Sequence, residues 1–334
     1  MGVSESVNRL DLPTILIPYR QADCDGSCQD VFLYLRPETN GIQVESRIMR
    51  VIQQNQLYKD TIDLVYLANF PGEFITRRRI VENHYRVRIY FASRGGAAFT
   101  HEMRRTFAAH FGVEPEKARI LGAFSAMDLL EMSADQLFDL WVPDEDMIFL
   151  CGQSIKRYGD YFVVNYDIPA ILSKNSVDTD IAVMILRTSL DYTDIHRLVA
   201  SIGESLQDAG LLRRDMPLSR AFHYSKGPFE QLLDAGGYVF DSSYQAVPLN
   251  TSSFYRFLNQ ERSFTPAEII GALNQPIMRF SLGENRSVED EIFAYTQDDN
   301  FQEAADKLSS LLSQALLPVA DRDFRLSSLS SPGE

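Results

Sequence analysis

Short, mostly apolar runs, separated by segments with helical spacing, constrain the fold of this chain more than any other feature. In the first half these runs cover residues 14–18, 31–35, 62–67, 85–92, 119–124 and 147–151. Runs of this length are typical of strands that are covered on both faces. Val44, Ile48 and Val51 recur at helical spacing between the second and third runs, which predicts a crossover helix that joins parallel strands. We therefore expect an α/β fold with a largely parallel sheet in the first half.

The length of the chain predicts two domains. A chain of 334 residues exceeds the size at which a single hydrophobic core usually stops growing. The stretch 173–179 is polar and poor in apolar residues, as is typical of a boundary. We therefore predict an α/β domain at 11–173 and an α+β domain at 179–318, followed by a Ser-rich, disordered tail at 325–334.

The second half begins with a predicted strand followed by a helix. The run 181–186 is fully apolar, and Asp191 or Thr193 can cap the amphipathic helix that follows it. A final amphipathic helix is predicted over 301–316, because its alanines and leucines share one face. That face, which includes Leu312, is expected to be buried.

The charge of the chain limits the classes of partner. Its net charge is −14, which argues against nucleic-acid binding because that requires a surplus of Lys and Arg on one face. Residues 71–120 nevertheless contain ten basic and five acidic residues, a net charge of +5 that leaves −19 for the rest of the chain. No window approaches the roughly 20 apolar residues that span a bilayer, and the first residues lack a signal-peptide pattern. We expect a cytoplasmic protein with no membrane partner.

The cysteines do not predict a disulfide framework. Cys24, Cys28 and Cys151 are few and odd in number, which agrees with a reducing compartment. Cys24 and Cys28 lie close together, but no second Cys or His pair has the spacing of a four-ligand zinc site. The neighbouring Asp23 and Asp25 are weak metal candidates in a loop that resembles a calcium loop only in its DxDG letters, and a solvated turn is the alternative.

The segment 93–100 is the most suggestive stretch for ligand binding. It contains the pair Gly95 and Gly96, with Arg94 before it and Thr100 as the predicted N-cap of the next helix. Paired glycines let backbone N–H groups converge, and a helix N-terminus adds partial positive charge, so the segment suits an anion such as phosphate. The alternative is an ordinary turn, because the segment lacks the Walker lysine and the GxGxxG spacing.

Further candidate residues flank this segment. The predicted strand 85–92 would place Arg86 and Arg88 on one face, so both join the predicted ligand-binding residues. His101 lies in the first turn of the next helix, where a neutral imidazole could act as a base. A structural role is the alternative for each histidine, since none has a partner in sequence that defines a catalytic role.

Three classes of function remain open on the sequence alone. The first is a regulatory or binding protein that recognises a phosphorylated small molecule or nucleotide, and the second is an enzyme that acts on phosphorylated substrates. The third is a structural or oligomer-forming protein, in which the basic segment of one copy meets the acidic half of another. The first is preferred because anion-binding features occur without a catalytic motif such as GxSxG. No cofactor is identified, and an anionic small molecule is the expected partner.

Overall fold

The computed structural model describes residues 12–21, 28–37 and 39–319, apart from the side chain of Arg220. The strands are β1 (Thr14–Ile17), β2 (Gln29–Leu35), β3 (Ile62–Phe70), β4 (Arg119–Gly122), β5 (Met147–Leu150), β6 (Gln153–Tyr158), β7 (Tyr161–Val164), β8 (Ile181–Thr188), β9 (Phe222–Tyr224), β10 (Ile277–Ser281), β11 (Ser287–Glu291) and β12 (Leu311–Gln314). The α-helices are α1 (Ile42–Gln54), α2 (Gln56–Thr61), α3 (Gly72–Arg77), α4 (Ile80–His84), α5 (Arg86–Arg94), α6 (His101–Phe111), α7 (Ala123–Leu130), α8 (Ala134–Asp139), α9 (Ile168–Ser173), α10 (Tyr192–Asp208), α11 (Leu218–Ala221), α12 (Pro228–Ala235), α13 (Ser253–Arg256), α14 (Pro266–Asn274), α15 (Ile292–Tyr295) and α16 (Phe301–Ser309). The predicted disordered tail 325–334 lies outside the described residues.

The largest sheet has five strands in the order β1-β3-β8-β2-β9, and every neighbouring pair is antiparallel. The prediction of a largely parallel sheet in the first half is therefore wrong. β2 and β3 do run in the same direction, because each is antiparallel to β8. The helical connection between them fixes their relative direction but not their adjacency, and β8 lies between them.

The two faces of this sheet belong to different cores, which explains why β8 is apolar from Ile181 to Leu186. Val183 and Ile185 pack into a core that includes α12, α14 and α16. Ala182 and Met184 pack into a second core, which α1 and α10 cover. Because successive side chains of a strand point to opposite faces, only an uninterrupted apolar run can serve both cores.

The large sheet combines strands from both sides of the predicted domain boundary at 173–179. β8 begins just after that stretch, yet its partners β2 and β3 come from well before it. The two predicted units therefore share one sheet and the two cores on its faces.

Two smaller sheets complete the described architecture. One has the order β4-β7-β6-β5, and its β6–β7 hairpin turns at Gly159 and Asp160. Helices α5 to α9 pack around this sheet. The other has the order β11-β10-β12 and connects the large core to the core of the four-stranded sheet.

The segment 85–92, predicted as a strand, is helical. It belongs to α5, which buries Val87, Phe91 and Ala92. Apolar residues four positions apart fit a helical face, and the alternation of arginines with apolar residues that suggested a strand is compatible with both structures. Arg86 and Arg88 are therefore not displayed on the face of a strand.

The last predicted helix is shorter than expected, since α16 ends at Ser309 and residues 311–314 form β12. This strand pairs with β10, and Leu312 is 59% exposed, whereas Leu308 on the helix is 4% exposed. Between α12 and α13, Phe240 forms an isolated bridge with Ala246. The leucines beyond Ser309 therefore do not continue the buried face of α16.

Two leucine substitutions test this correction. Leu308→Ala should lower the free energy of unfolding by about 2–5 kcal/mol, because it leaves a cavity in a filled core. Leu312→Ala should change it by no more than about 0.5 kcal/mol, the usual range for surface sites. Chemical denaturation of both variants measures the difference. Equal losses would mean that the predicted long helix, with both leucines buried, is correct.

Candidate functional site

A cleft of about 780 Å³ is lined by parts of several elements that are distant in sequence. It receives residues from the α4–α5 junction, the β5–β6 turn, the β9–α12 junction, β11 and α15. Its charged lining residues are Arg36, Arg86, Arg88, Lys174, Lys226, Glu102, Asp167, Glu230, Glu289, Asp290 and Glu291. A large concave site with converging charged groups is the usual location of a small-molecule site, and we refer to it as the cleft.

A histidine–aspartate cluster, formed by His84, His223 and Asp234, lies at the wall of the cleft. His84 is the last residue of α4, His223 lies on β9, and Asp234 lies on α12. The Nε2 atom of His223 lies 3.0 Å from Oδ2 and 3.2 Å from Oδ1 of Asp234. The Nδ1 atom of His84 lies 3.6 Å from the same Oδ1 atom. Three elements therefore converge on one carboxylate.

The surrounding sheet fixes this cluster. His223 pairs with Tyr34 of β2, and their rings stack with centroids 5.6 Å apart. The Tyr34 hydroxyl donates to the backbone oxygen of Asp234, and the Ser225 hydroxyl donates to Asp234 Oδ2 at 2.7 Å. Asp234 can be fully buried because these hydrogen bonds compensate for its loss of water.

Burial and neighbouring charges shift the pKa values in this cluster. Burial alone would lower the pKa of His223, but the Asp234 carboxylate raises it and the net shift is upward. Burial would raise the pKa of Asp234, whereas His223 lowers it and the net shift is downward. The pKa of the neighbouring Glu230 is raised mainly by burial. The cluster is therefore an ion pair beside a carboxyl group that resists ionisation.

Glu291 is a buried carboxylic acid at the wall of the cleft. Its side chain is 9% exposed and forms no hydrogen bond or ion pair with any part of the chain that the structure describes. It packs directly on Gly152, where a Cβ atom would lie 1.9 Å from Oε2 of Glu291. Burial raises the pKa of Glu291 to about 8, with attraction to Arg88 opposing the shift and repulsion from Asp290 and Glu230 adding to it.

Arg88 occupies the same wall in an interrupted polar network. Its Nη2 atom donates to Asp167 at 2.9 Å and to the Ser154 hydroxyl at 3.3 Å. Its Nε atom is buried and has no hydrogen-bond partner among the described residues. Buried donors are rarely left unpaired. The Nε–H group of Arg88 therefore leaves the hydrogen bonding of this wall incomplete.

The predicted anion loop lies outside the lining of the cleft. Gly95 has φ +56° and packs on β4, where a Cβ atom would lie 2.6 Å from the oxygen of Ile120. The Gly96 oxygen accepts a hydrogen bond from Arg104 at 3.2 Å, and the Arg94 guanidinium lies over the Tyr90 ring. Close helix-to-strand packing therefore accounts for the glycine pair without a ligand.

The structure separates the other predicted residues. Arg86 and Arg88 line the cleft, whereas Arg94, Gly95, Gly96, Thr100 and His101 do not. Thr100 caps α6, accepts from the N–H of Met103 and donates to Glu289, and His101 is exposed. Asp23 and Asp25 lie outside the described residues.

The thiols do not supply a reactive group among the described residues. Cys151 lines the cleft as a free, buried thiol, and burial followed by repulsion from Asp290 and Glu289 raises its pKa. A thiol with a raised pKa forms little thiolate and is a poor nucleophile. Cys28 is disulfide-bonded, which the sequence did not predict, and Cys24 lies outside the described residues.

Sequence reasoning missed the carboxyl groups of the cleft. Glu291 ends the strand sequence Ser-Val-Glu-Asp-Glu, which reads as a solvated edge. Asp234 lies on a helix whose residues are all buried except Glu230. The apolar character of that short helix is the one signal that would have indicated an aspartate held in a core.

No protein-family model, curated protein or solved structure matches the chain. Among the described helices, none combines the length and the apolar character that crossing a membrane requires. The geometry of the cleft is therefore the basis on which a function can be inferred.

The raised pKa of Glu291 predicts a particular dependence of stability on pH. The folded chain retains a proton that the unfolded chain releases between pH 4.5 and about 8. The free energy of unfolding therefore falls as the pH rises through this window, by up to about 1.4 kcal/mol per pH unit. Glu291→Gln removes this contribution. The free energy of unfolding of the variant, relative to that of the parent, should therefore increase steadily from pH 5 to pH 8.

Denaturant titrations across this pH range measure the effect. Glu284→Gln is the matched control, because Glu284 is exposed in the turn between β10 and β11 and its variant should follow the parent at every pH. A constant difference between Glu291→Gln and the parent would show that Glu291 ionises like an ordinary surface carboxyl group.

Proposed function

We propose that the chain is an enzyme that carries out proton transfer on a phosphorylated small molecule bound in the cleft. The observation that carries the proposal is Glu291, a carboxyl group buried in the wall of a large cleft without a partner in the described chain. A buried acid that stabilises the fold would be expected to have hydrogen-bond partners. One that lacks them and faces a cleft is suited to a proton exchange with a ligand.

Glu291 has the properties of a general acid. With a pKa of about 8, it holds its proton near neutral pH yet can release it, which is the balance that acid catalysis favours. Arg88 attracts the ionised form, so it would stabilise the carboxylate after the proton has been transferred. The direct contact of Glu291 with Gly152 restricts where the carboxyl group can lie.

Two cations at the cleft support an anionic substrate. Arg36 and Lys226 both line it, and neither forms an ion pair within the described residues. The Arg36 Nε atom donates to the backbone oxygen of Ser219, which is a neutral acceptor. Guanidinium and ammonium groups form strong, charge-assisted hydrogen bonds to phosphate.

A binding protein for the same class of ligand is the second candidate. It is favoured by the fixed positions of two cleft arginines, which indicate a preformed site. Arg86 donates to the oxygens of Leu273 and Asn274, and Arg88 is held by Asp167. A preformed site loses little entropy on binding. The two candidates differ in whether the ligand is converted.

Charge reversal tests the location of the ligand. A thermal-shift screen of nucleotides and sugar phosphates supplies a ligand, since binding to the folded state raises the melting temperature. Lys226→Glu and Arg36→Glu should each weaken its binding by at least about tenfold, since charge-assisted hydrogen bonds contribute about 1.5–3 kcal/mol. Arg94→Glu is the control, because Arg94 is exposed and lies outside the cleft lining.

Calorimetric titration of the three variants distinguishes the two locations. Loss of affinity in Arg94→Glu alone would place the ligand at the glycine pair, as the sequence predicted, and would exclude the cleft.

The catalytic assignment has a separate test. Glu291→Gln should lower the turnover of a ligand that the parent converts by about 10²–10⁴-fold, the usual contribution of general acid–base catalysis, while its affinity for that ligand changes little. Mass spectrometry of the incubated ligand detects the conversion. Turnover that survives in Glu291→Gln would exclude this residue as the acid, and binding by the parent without conversion would favour the binding protein.

A further inference from the structure

We propose that His84, His223 and Asp234 bind one divalent transition-metal ion of the zinc class at the wall of the cleft. This inference goes beyond the proposed reaction, and it does not depend on it, because metal binding can be measured without a substrate. It is carried by the convergence of three metal-ligating side chains from α4, β9 and α12, whose ligand atoms all lie within 4.8 Å of one another.

The separations between the ligand atoms fit a tetrahedral site. With metal–ligand bonds of about 2.0–2.1 Å, two ligand atoms of a tetrahedron lie roughly 3.3–3.4 Å apart. Asp234 Oδ1 lies 3.2 Å from His223 Nε2 and 3.6 Å from His84 Nδ1. These two separations bracket the tetrahedral value, and the ligand nitrogens of the two histidines lie within 4.8 Å of each other.

The donor set selects the class of ion. Two imidazole nitrogens and one carboxylate oxygen suit zinc and its neighbours in the first transition series, whereas Ca²⁺ and Mg²⁺ prefer sites made of oxygen. The burial of the cluster also matters, because His84 and His223 have side-chain exposures of only 10% and 16%. In the metal-free cluster His223 Nε2 is hydrogen-bonded to Asp234, so a bound ion takes the place of the proton between them.

Hydrogen bonds and ring stacking orient Asp234 and His223, as the residues that surround the ligands do in metal sites. Ser225 donates to Asp234 Oδ2, and Oδ1 is the oxygen that lies within reach of both histidines. The ring of His223 is stacked on Tyr34, which fixes its plane. Hydrogen bonds and packing of this kind commonly hold metal ligands in place.

Two of the three ligand residues, His84 and His223, line the cleft. Glu230 lines it as well, and its Oε1 atom lies 3.9 Å from His223 Nε2. Glu230 is thus near enough to serve as a fourth ligand or to contact a water molecule on the ion. Three protein ligands with an open position are the arrangement of catalytic zinc sites.

Titration of the metal-free full chain tests the proposal. The chain is stripped with a chelator and titrated with Co²⁺ and Zn²⁺ near neutral pH, and binding is followed by visible absorption and by calorimetry. We expect one equivalent to bind, with the absorption of a tetrahedral or five-coordinate Co²⁺ ion and with no competition from Mg²⁺. Failure of the parent to bind either ion stoichiometrically would overturn the proposal. So would a thiolate charge-transfer band, since that would place the ion at a cysteine such as Cys151.

Substitutions assign the ion to the cluster. His84→Gln and Asp234→Asn should each weaken binding by at least about tenfold, because even the outer hydrogen-bond partners of metal ligands contribute 10- to 100-fold. His110→Gln is the control, since His110 is exposed on α6 and its variant should bind like the parent. Circular dichroism verifies folding, and His84→Gln decides the result if the buried Asp234 does not tolerate substitution. Unchanged binding by His84→Gln would place the ion elsewhere.

Discussion

The pairing of β8 with both β3 and β2 is the interaction on which the rest of the structure depends. It joins a strand from the second half of the chain to two strands from the first half and divides the apolar residues between two cores. β2 then pairs on its other edge with β9, which places His223 above the helix that carries Asp234. The apolar side chains of this sheet pack into the two cores on its faces, and this packing supports the wall of the cleft to which His223 belongs.

The sequence predicted local elements well where one pattern had one interpretation. Thr100 caps α6 and Asp191 caps α10, both as expected. Prediction failed where two structures share a pattern, as in 85–92, whose arginines alternate with apolar residues although Val87 and Phe91 also fit a helix. Strand order failed for another reason. Adjacency in a sheet is set by packing between distant segments, and the apolar run of β8 does not state which strands it will join.

The cleft could be predicted only in part. Arg86 and Arg88 were predicted as ligand-binding residues from their charge, and both line the cleft. Glu291 and Asp234 could not be found, because a carboxylate is predicted to be exposed unless the tertiary structure buries it. The glycine pair has two interpretations, since close packing of Gly95 on Ile120 selects the same residue type as an anion-binding loop does. A pKa shift that results from burial in the tertiary structure cannot be recognised from the order of residues in the sequence.

We propose the cleft, and not the glycine pair, as the functional site. Hydrogen–deuterium exchange of the full chain, with and without a phosphorylated ligand from the screen, tests it directly, because bound ligand slows the opening of the segments that it contacts. Ligand binding in the cleft should slow exchange at 84–88, 223–230 and 287–291, which supply cleft residues. It should leave exchange at 93–100 unchanged. Protection confined to 93–100 would contradict it.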